Sequence, residues 1–297
     1  MSVAYLNGRF VPFADAGLPL HDAGFVSGAT VVDNARTYGR TLFRWTDHLA
    51  RFRRDCEACY VPLAATDAEL TAIATELVAR NGALLPADGE LQVVTFATPG
   101  PLGFYVGAAN GPPTLGMVTY PVPERYRRFA DEGVVLALAG KQSARADDLL
   151  PPRVKHRSRM AWHVAGQKVG AWADPGAVPA VMATDGSLDT PIGAVLAVAS
   201  GAVWFPHDGS VLESITVKVV GELCDRLGVP TVRSGGSIVQ LAEVATELIL
   251  CGTGCGVVGV RAFARSPRRS QTFPVPGPVL TRLRAAWADD VSASRAP

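Results

Sequence analysis

The sequence predicts an α+β protein in two domains, and three observations carry that reading. Short runs with strand alternation and longer runs with helical apolar spacing are interleaved along the whole chain. At 297 residues, 48% hydrophobic and 19% charged, the chain can bury one large core or two of ordinary size. The texture changes most sharply at Pro121-Val122-Pro123-Glu124-Arg125-Tyr126-Arg127-Arg128, which is proline-bearing, charged and aperiodic. The expected division is a small N-terminal α+β domain over residues 1–120, a linker over 121–132 and a larger α+β domain over 133–297.

Taken in order, Val3-Ala4-Tyr5-Leu6 and Arg9-Phe10-Val11-Pro12 flank Asn7-Gly8, the turn pair most typical of a two-residue hairpin. A second turn-linked pair over 37–43 makes the start read as a β meander. Residues 46–60 have the apolar spacing of a helix. Thr66-Asp67-Ala68-Glu69 is a capping box ahead of Leu70, Ile73, Leu77 and Val78, and Asn81-Gly82 is expected to close that helix. Strands follow over 90–98 and 114–122. Beyond the linker, strands are expected over 133–139, 180–184, 194–199 and 202–205, with helices over 159–173 and 216–227. Ser237 starts a short helix, Leu248 to Cys251 form a strand, Gly252-Thr253-Gly254-Cys255-Gly256 a glycine-rich turn, and 278–291 a terminal helix.

A formal charge of +1 gives no reason to invoke nucleic acid or an anionic membrane, so a small-molecule substrate is the default. The first ten residues lack a basic segment followed by an apolar run. The longest apolar stretch, 192–205, is interrupted by glycines and too short to span a bilayer, and the expected location is the cytoplasm. Five cysteines point to buried thiols. Cys56 and Cys59 have CxxC spacing but continue the helical face of Leu49 and Phe52. Cys251 and Cys255 flank the glycine-rich turn without a nearby histidine, and no metal site is expected.

The candidate reactive group is Lys155, in Val154-Lys155-His156-Arg157-Ser158-Arg159-Met160, after the loop from Leu149 to Arg153. A lysine at such a junction can pack its stem and aim its amine into a cleft, where desolvation or a nearby cation favours nucleophilic use. The competing reading is a solvated basic patch, since Arg153, His156, Arg157 and Arg159 surround it. The helix start at Ser214-Ile215-Thr216 and the turn at Thr253 both offer N–H groups suited to phosphate, although each alone most often just closes a fold.

Together these pieces resemble the fold-type IV pyridoxal-phosphate enzymes, the class IV aminotransferase family that includes branched-chain aminotransferase, D-amino acid aminotransferase and aminodeoxychorismate lyase. Tyr5-Leu6-Asn7-Gly8, Asp22 with Gly24-Phe25, and Gly28 leading to Asp33-Asn34-Ala35-Arg36 are similar to its first strands. Phe43-Arg44 followed by His48-Leu49-Ala50-Arg51-Phe52 resembles its H-x-x-R-L helix, which implies that Arg51 holds the cofactor phosphate. Lys155 falls where the family carries its Schiff-base lysine. Gly186-Ser187-Leu188-Asp189-Thr190 resembles the turn whose carboxylate pairs with the pyridine nitrogen, a role that would fall to Asp189. Ser214-Ile215-Thr216 and Gly252-Thr253 resemble the two phosphate-binding segments.

Four departures lie within these motifs. Asp189 stands for a glutamate, Pro191-Ile192-Gly193-Ala194 for small polar residues ending in asparagine, Ser214 for glycine, and Met160 for the tyrosine of branched-chain aminotransferases. The resemblance implies a D-amino acid aminotransferase-like architecture, pyridoxal 5'-phosphate as cofactor and a homodimer. The implied reaction moves an amino group between a small amino acid or amine and a 2-oxo acid. Catalysis would rest on Lys155, and cofactor binding on Arg51, Lys155, Asp189, Ile215, Thr216 and Thr253. The alternatives are a lyase of the aminodeoxychorismate type, or a divergent paralogue that has lost or repurposed the cofactor site.

Overall fold

The computed structural model describes residues 1–141, 149–233 and 237–295. The chain folds into two compact units. The first comprises Met1 to Val122, the segment Val154–Ser158 and the chain end from Ser294; the second comprises Pro123 to Arg153 and Arg159 to Ala293.

In the first unit, strands β1 (Val3–Leu6) and β2 (Arg9–Pro12) form a hairpin turned by Asn7 and Gly8, both at positive φ as a type I′ turn requires. After them come α1 (Ala23–Val26), β3 (Val31–Tyr38), β4 (Thr41–Leu42), α2 (Trp45–Ala58), α3 (Asp67–Gly82), β5 (Leu91–Thr98) and β6 (Thr114–Pro121). The sheet order is β2-β1-β6-β5-β3-β4, so the expected opening meander is corrected. The two early hairpins lie at opposite edges, and β5 and β6, much later in sequence, pair between them. Leu91, Val93 and Met117 on one sheet face pack with Leu49 of α2 and Leu70, Ile73, Leu77 and Val78 of α3.

The capping box forms: Thr66 Oγ1 accepts from the Glu69 N–H at 3.2 Å, and Glu69 Oε2 accepts from the Thr66 N–H at 2.7 Å. The helix does end at Gly82, without a left-handed cap; the residue after it is in αR. Asn81 is a buried strut rather than a terminator. Its side chain accepts from the Val3 N–H and donates to the Val3 carbonyl, both at 2.8 Å, tying α3 to β1.

The second unit opens with α4 (Glu124–Glu132), so the expected linker is largely helical. Its buried residue is Tyr126, while the arginines face outward. Then follow β7 (Val134–Lys141), α5 (Met160–Gly170), β8 (Val178–Met182), β9 (Leu188–Asp189), β10 (Ala194–Ala199), β11 (Ala202–Trp204), α6 (Ile215–Leu227), β12 (Thr231–Val232), α7 (Ile238–Leu241), β13 (Glu247–Gly252), β14 (Gly256–Ser266), β15 (Arg269–Thr272) and α8 (Pro278–Ser294). The path β10-β13-β14-β7-β8-β9 returns to β10 through Asp189↔Ala194 and closes a barrel. Strand β7 runs parallel to β8, and α5 lies in the crossover between them, as a parallel connection requires. Val219, Val220 and Leu223 of α6 and Leu280 and Leu283 of α8 pack on Leu196, Val198, Ile249 and Cys251 of the barrel wall.

Candidate active site

Lys155 is carried on a short strand added to the edge of β3. The Val32 N–H donates to the Lys155 carbonyl at 3.0 Å, and the Arg157 N–H to the Thr30 carbonyl at 2.9 Å, with Val31 and His156 bridged between them. The Lys155 N–H turns away from β3 and donates to Asp55 Oδ2 of α2 at 2.9 Å. Ser158 Oγ closes the segment on the Gly28 carbonyl at 2.8 Å. Val154 is buried and Lys155 half-buried, so the backbone of the segment is anchored, while Arg153 and Arg157 beside it are exposed.

Arg51 lies on α2 inside a buried charged cluster. Its Nε donates to Asp33 Oδ2 at 2.8 Å, and His48 Nδ1 meets Asp33 Oδ1 at 2.6 Å. Burial works against ionising Asp33, but Arg51 and His48 outweigh it and hold the carboxyl far below the usual range. Burial lowers the His48 pKa, and the charges of Arg51 and Lys155 add to that effect against the pull of Asp33. The imidazole is therefore neutral near pH 7. Asp55 moves the other way: burial raises it, opposed by the Lys155 N–H and by Arg54.

The other expected residues belong to the second unit. Asp189 is half-buried on the strand that closes the barrel, paired on both sides with Val181 and Ala194, and its Oδ1 accepts from the Thr190 N–H at 2.9 Å. Thr190 Oγ1 donates to the Gly193 carbonyl at 2.5 Å and fixes the turn that follows. Ala194 also pairs with Cys251, which brings that turn against the glycine-rich hairpin. The approach is so close that a Cβ on Gly252 would stand 1.9 Å from the Ile192 carbonyl oxygen. Thr253 is half-buried in this hairpin, and its hydroxyl has no hydrogen-bond partner among the described residues. Ser214 N-caps α6 through a long bond, 3.4 Å, from the Val217 N–H. Ile215 and Thr216 are buried, and their amides donate to no protein acceptor among the described residues.

Arg51 and Lys155 thus fall in the first unit, and Asp189, Ile215, Thr216 and Thr253 in the second. As a donor set they fit pyridoxal phosphate. A primary amine suits its aldehyde, a carboxylate suits a pyridinium, and a guanidinium, two amides and a hydroxyl suit a phosphate dianion. The structural observation behind the fit is the start of α6, where the amides of two buried residues, Ile215 and Thr216, donate to no acceptor among the described residues and, as the first N–H groups of a helix, can take a phosphate.

Sequence reasoning gave no role to Asp33, His48 or Asp55. The first two sat inside quoted motifs, and a buried carboxylate beside an arginine helix was the available signal. Asp55 had none, because its partner is 100 residues away in the chain. Among the described residues no cluster of histidine, cysteine, aspartate and glutamate could hold a metal, and no helix is long and apolar enough to cross a membrane. Cys56 packs in the core with Phe52, where burial and the Asp55 charge push its thiol up to about 12.

A barrel closed by a two-residue strand, with a lysine on an added edge strand elsewhere in the chain, defines a fold-type IV architecture. The family model for amino-transferase class IV matches residues 30–263, and the chain belongs to that family of pyridoxal-phosphate enzymes. It is 24% identical over 265 residues to a Methanocaldococcus jannaschii protein provisionally named a branched-chain-amino-acid aminotransferase, covering 86% of each. It is 31% identical over 81 residues to the D-alanine aminotransferase of Staphylococcus haemolyticus, a local match to 27% of this chain and 29% of that one. Among solved structures, the branched-chain amino acid aminotransferase of Escherichia coli superposes with a TM-score of 0.81 at 17% identity, over 97% of this chain and 94% of that one. The Thermobaculum terrenum branched-chain enzyme in its PLP form gives 0.77 at 20%, over 99% and 94%. At these identities the superpositions speak to the fold alone.

Proposed function

We propose that the protein is a pyridoxal-phosphate-dependent aminotransferase that moves an amino group between a small amino acid or amine and a 2-oxo acid. The observation that carries this reading is the pinning of Lys155, whose main chain is held by β3 on one side and by Asp55 on the other. A reactive amine must return to the same place after each turnover, and a fixed backbone with a mobile side chain does that.

In this reading Lys155 binds the cofactor and then moves a proton at the substrate α-carbon. Arg51, the amides of Ile215 and Thr216 and the hydroxyl of Thr253 hold the phosphate. Asp33 fixes the plane of the Arg51 guanidinium. Asp189 supplies the carboxylate for the ring nitrogen, from a strand locked on both edges. When bound, the cofactor supplies an electron sink for the charge that develops at the substrate α-carbon.

The test is an absorbance spectrum of the purified protein with added pyridoxal phosphate. A band in the visible or near-ultraviolet that borohydride fixes onto Lys155, and that Lys155→Ala lacks, is expected. A wild type without such a band rejects the aminotransferase reading. The lyase alternative is separated by product analysis: pyruvate released without an amino acceptor marks a lyase.

A further inference from the structure

We propose that the barrel unit carries a second ligand site, apart from the residues assigned to the cofactor, that binds a small organic polycarboxylate and through it biases the turn after Asp189. The binding site stands without the aminotransferase reading, because no residue assigned to pyridoxal phosphate lines it. Its effect on the cofactor rests on that reading.

The site is a cavity of about 450 Å³, in the range of small-ligand sites, bounded by α4, by β7, β8 and β14 and by the turn at Pro191 and Ile192. Arg125, Arg128 and Glu132 of α4 line it at helical spacing, so one stripe of the helix serves it, and Arg261 of β14 adds a third guanidinium. These are the four charged residues of the lining, three cations against one acid. None of the three arginines has a carboxylate partner among the described residues. Their neighbour Arg127, which pairs with Glu124, stands outside the cavity.

Grouped guanidiniums repel one another beside an apolar wall, and an anion placed among them relieves that repulsion. Each guanidinium offers a planar pair of donors that matches a carboxylate. The cations come from two different elements, which suits charge divided between separated groups better than one compact ion. Phe129, Val135, Val178 and Ile192 supply apolar wall, and a carbon framework covers that wall where an inorganic ion would leave it wet.

Pro191 and Ile192 join this cavity to the candidate active site. They lie in the turn that Thr190 closes on the Gly193 carbonyl, directly after Asp189. Arg159 donates to the Pro191 carbonyl at 2.8 Å, and the Ile192 carbonyl stands against Gly252 of the hairpin that carries Thr253. A ligand packed on Ile192 therefore acts on the segment that sets both Asp189 and that hairpin. Coupling of this kind is reciprocal: each ligand changes the affinity of the other by the same factor.

The test titrates the full-length protein by calorimetry, with and without pyridoxal phosphate, using trimesate and tricarballylate as polycarboxylates. Benzoate, with one charge, and pyrophosphate, with charge and no carbon framework, are the comparisons. The two polycarboxylates are expected to bind about tenfold or more tightly than either comparison. Arg128→Ala and Arg261→Ala should each weaken that binding about tenfold, and Glu132→Gln should tighten it. Ala177→Trp, which fills the cavity and keeps all four charges, should abolish it. Saturating trimesate should change the Kd of pyridoxal phosphate severalfold in the wild type and leave it unchanged in Ala177→Trp.

Equal binding of benzoate and trimesate overturns the proposal, and so does tighter binding of pyrophosphate than of either polycarboxylate. Polycarboxylate binding that survives Ala177→Trp in a protein that melts like the wild type marks a diffuse surface charge and also overturns it. If Ala177→Trp does not fold, the double variant Arg128→Ala/Arg261→Ala decides. Cavity-dependent binding with an unchanged cofactor Kd keeps the site and removes its effect on the turn. The same binding in a protein that takes up no pyridoxal phosphate keeps the site and removes the aminotransferase reading.

Discussion

Asp33 and Asp55 are buried carboxylates with opposite tendencies, and the difference lies in their partners. Asp33 faces a guanidinium and an imidazole, so ionisation is favoured in the fold. Asp55 receives one backbone N–H and the partly exposed Arg54, which do not offset its burial. Its folded pKa is raised, so its ionisation weighs against the fold once pH climbs above the ordinary carboxylate value, about 3.9. Asp55→Asn should therefore match or exceed wild-type stability at pH 7, because it keeps an acceptor for the Lys155 N–H and removes the charge. Asp55→Ala leaves that N–H unpartnered and should cost about 1–3 kcal/mol in denaturant unfolding. If Asp55→Asn is as damaging as Asp55→Ala, the contact is not what positions the lysine.

The same cluster predicts the direction of the acid limb. The folded pKa of His48 lies below its ordinary value of 6.5, so from that pH downward the unfolded state binds more protons and stability falls. Asp33 contributes above the ordinary carboxylate value and is lost only in strong acid, because its folded pKa is far lower. A denaturation midpoint that declines from pH 6.5 to 5 in the wild type, and declines less in His48→Gln, is the expected result. Arg51 and Lys155 were singled out from the sequence because each sits in a motif with local order. Asp55 was not, because the hydrogen bond that gives it a role is wholly tertiary.

Among the elements, those with local signals matched the sequence reading. The Asn7-Gly8 hairpin, the Thr66 capping box and the Ser237 cap all form, because the groups that fix them lie within a few residues. What was illegible depends on distant pairing. The opening hairpins are separated by β5 and β6, and β9 is two residues long, below the length at which alternation can be read. Helix α4 was read as linker because Pro121 and Pro123 precede it and charge dominates it; Pro121 ends β6 and Pro123 stands at the N-cap, so neither interrupts the helix. Gly252→Ala tests the close approach of the barrel hairpin to the turn after Asp189. The added Cβ meets backbone, which cannot rotate away, so a loss of about 1–3 kcal/mol is expected, read as a lower melting temperature. A variant that melts like the wild type would show that the turn can move.

On the scale of the whole molecule, the chain visits its two units alternately: it leaves the first after Val122, returns for Val154–Ser158 and leaves again at Arg159. A ligand that binds only the folded chain stabilises it by mass action, about 2.7 kcal/mol at a hundredfold excess over Kd. Pyridoxal phosphate should therefore raise the melting temperature, and the variants should divide that shift by role. Lys155→Ala should lose borohydride labelling yet keep part of the shift, because the proposed phosphate donors are intact. Arg51→Ala and Thr253→Ala should keep labelling at high cofactor and lose most of the shift at low cofactor. Inorganic phosphate alone should give a smaller shift that Arg51→Ala removes and Lys155→Ala does not. An identical shift in all three variants would mean that the cofactor is held by other residues, and the assignment of Arg51 and Thr253 would fall while the family fold stood.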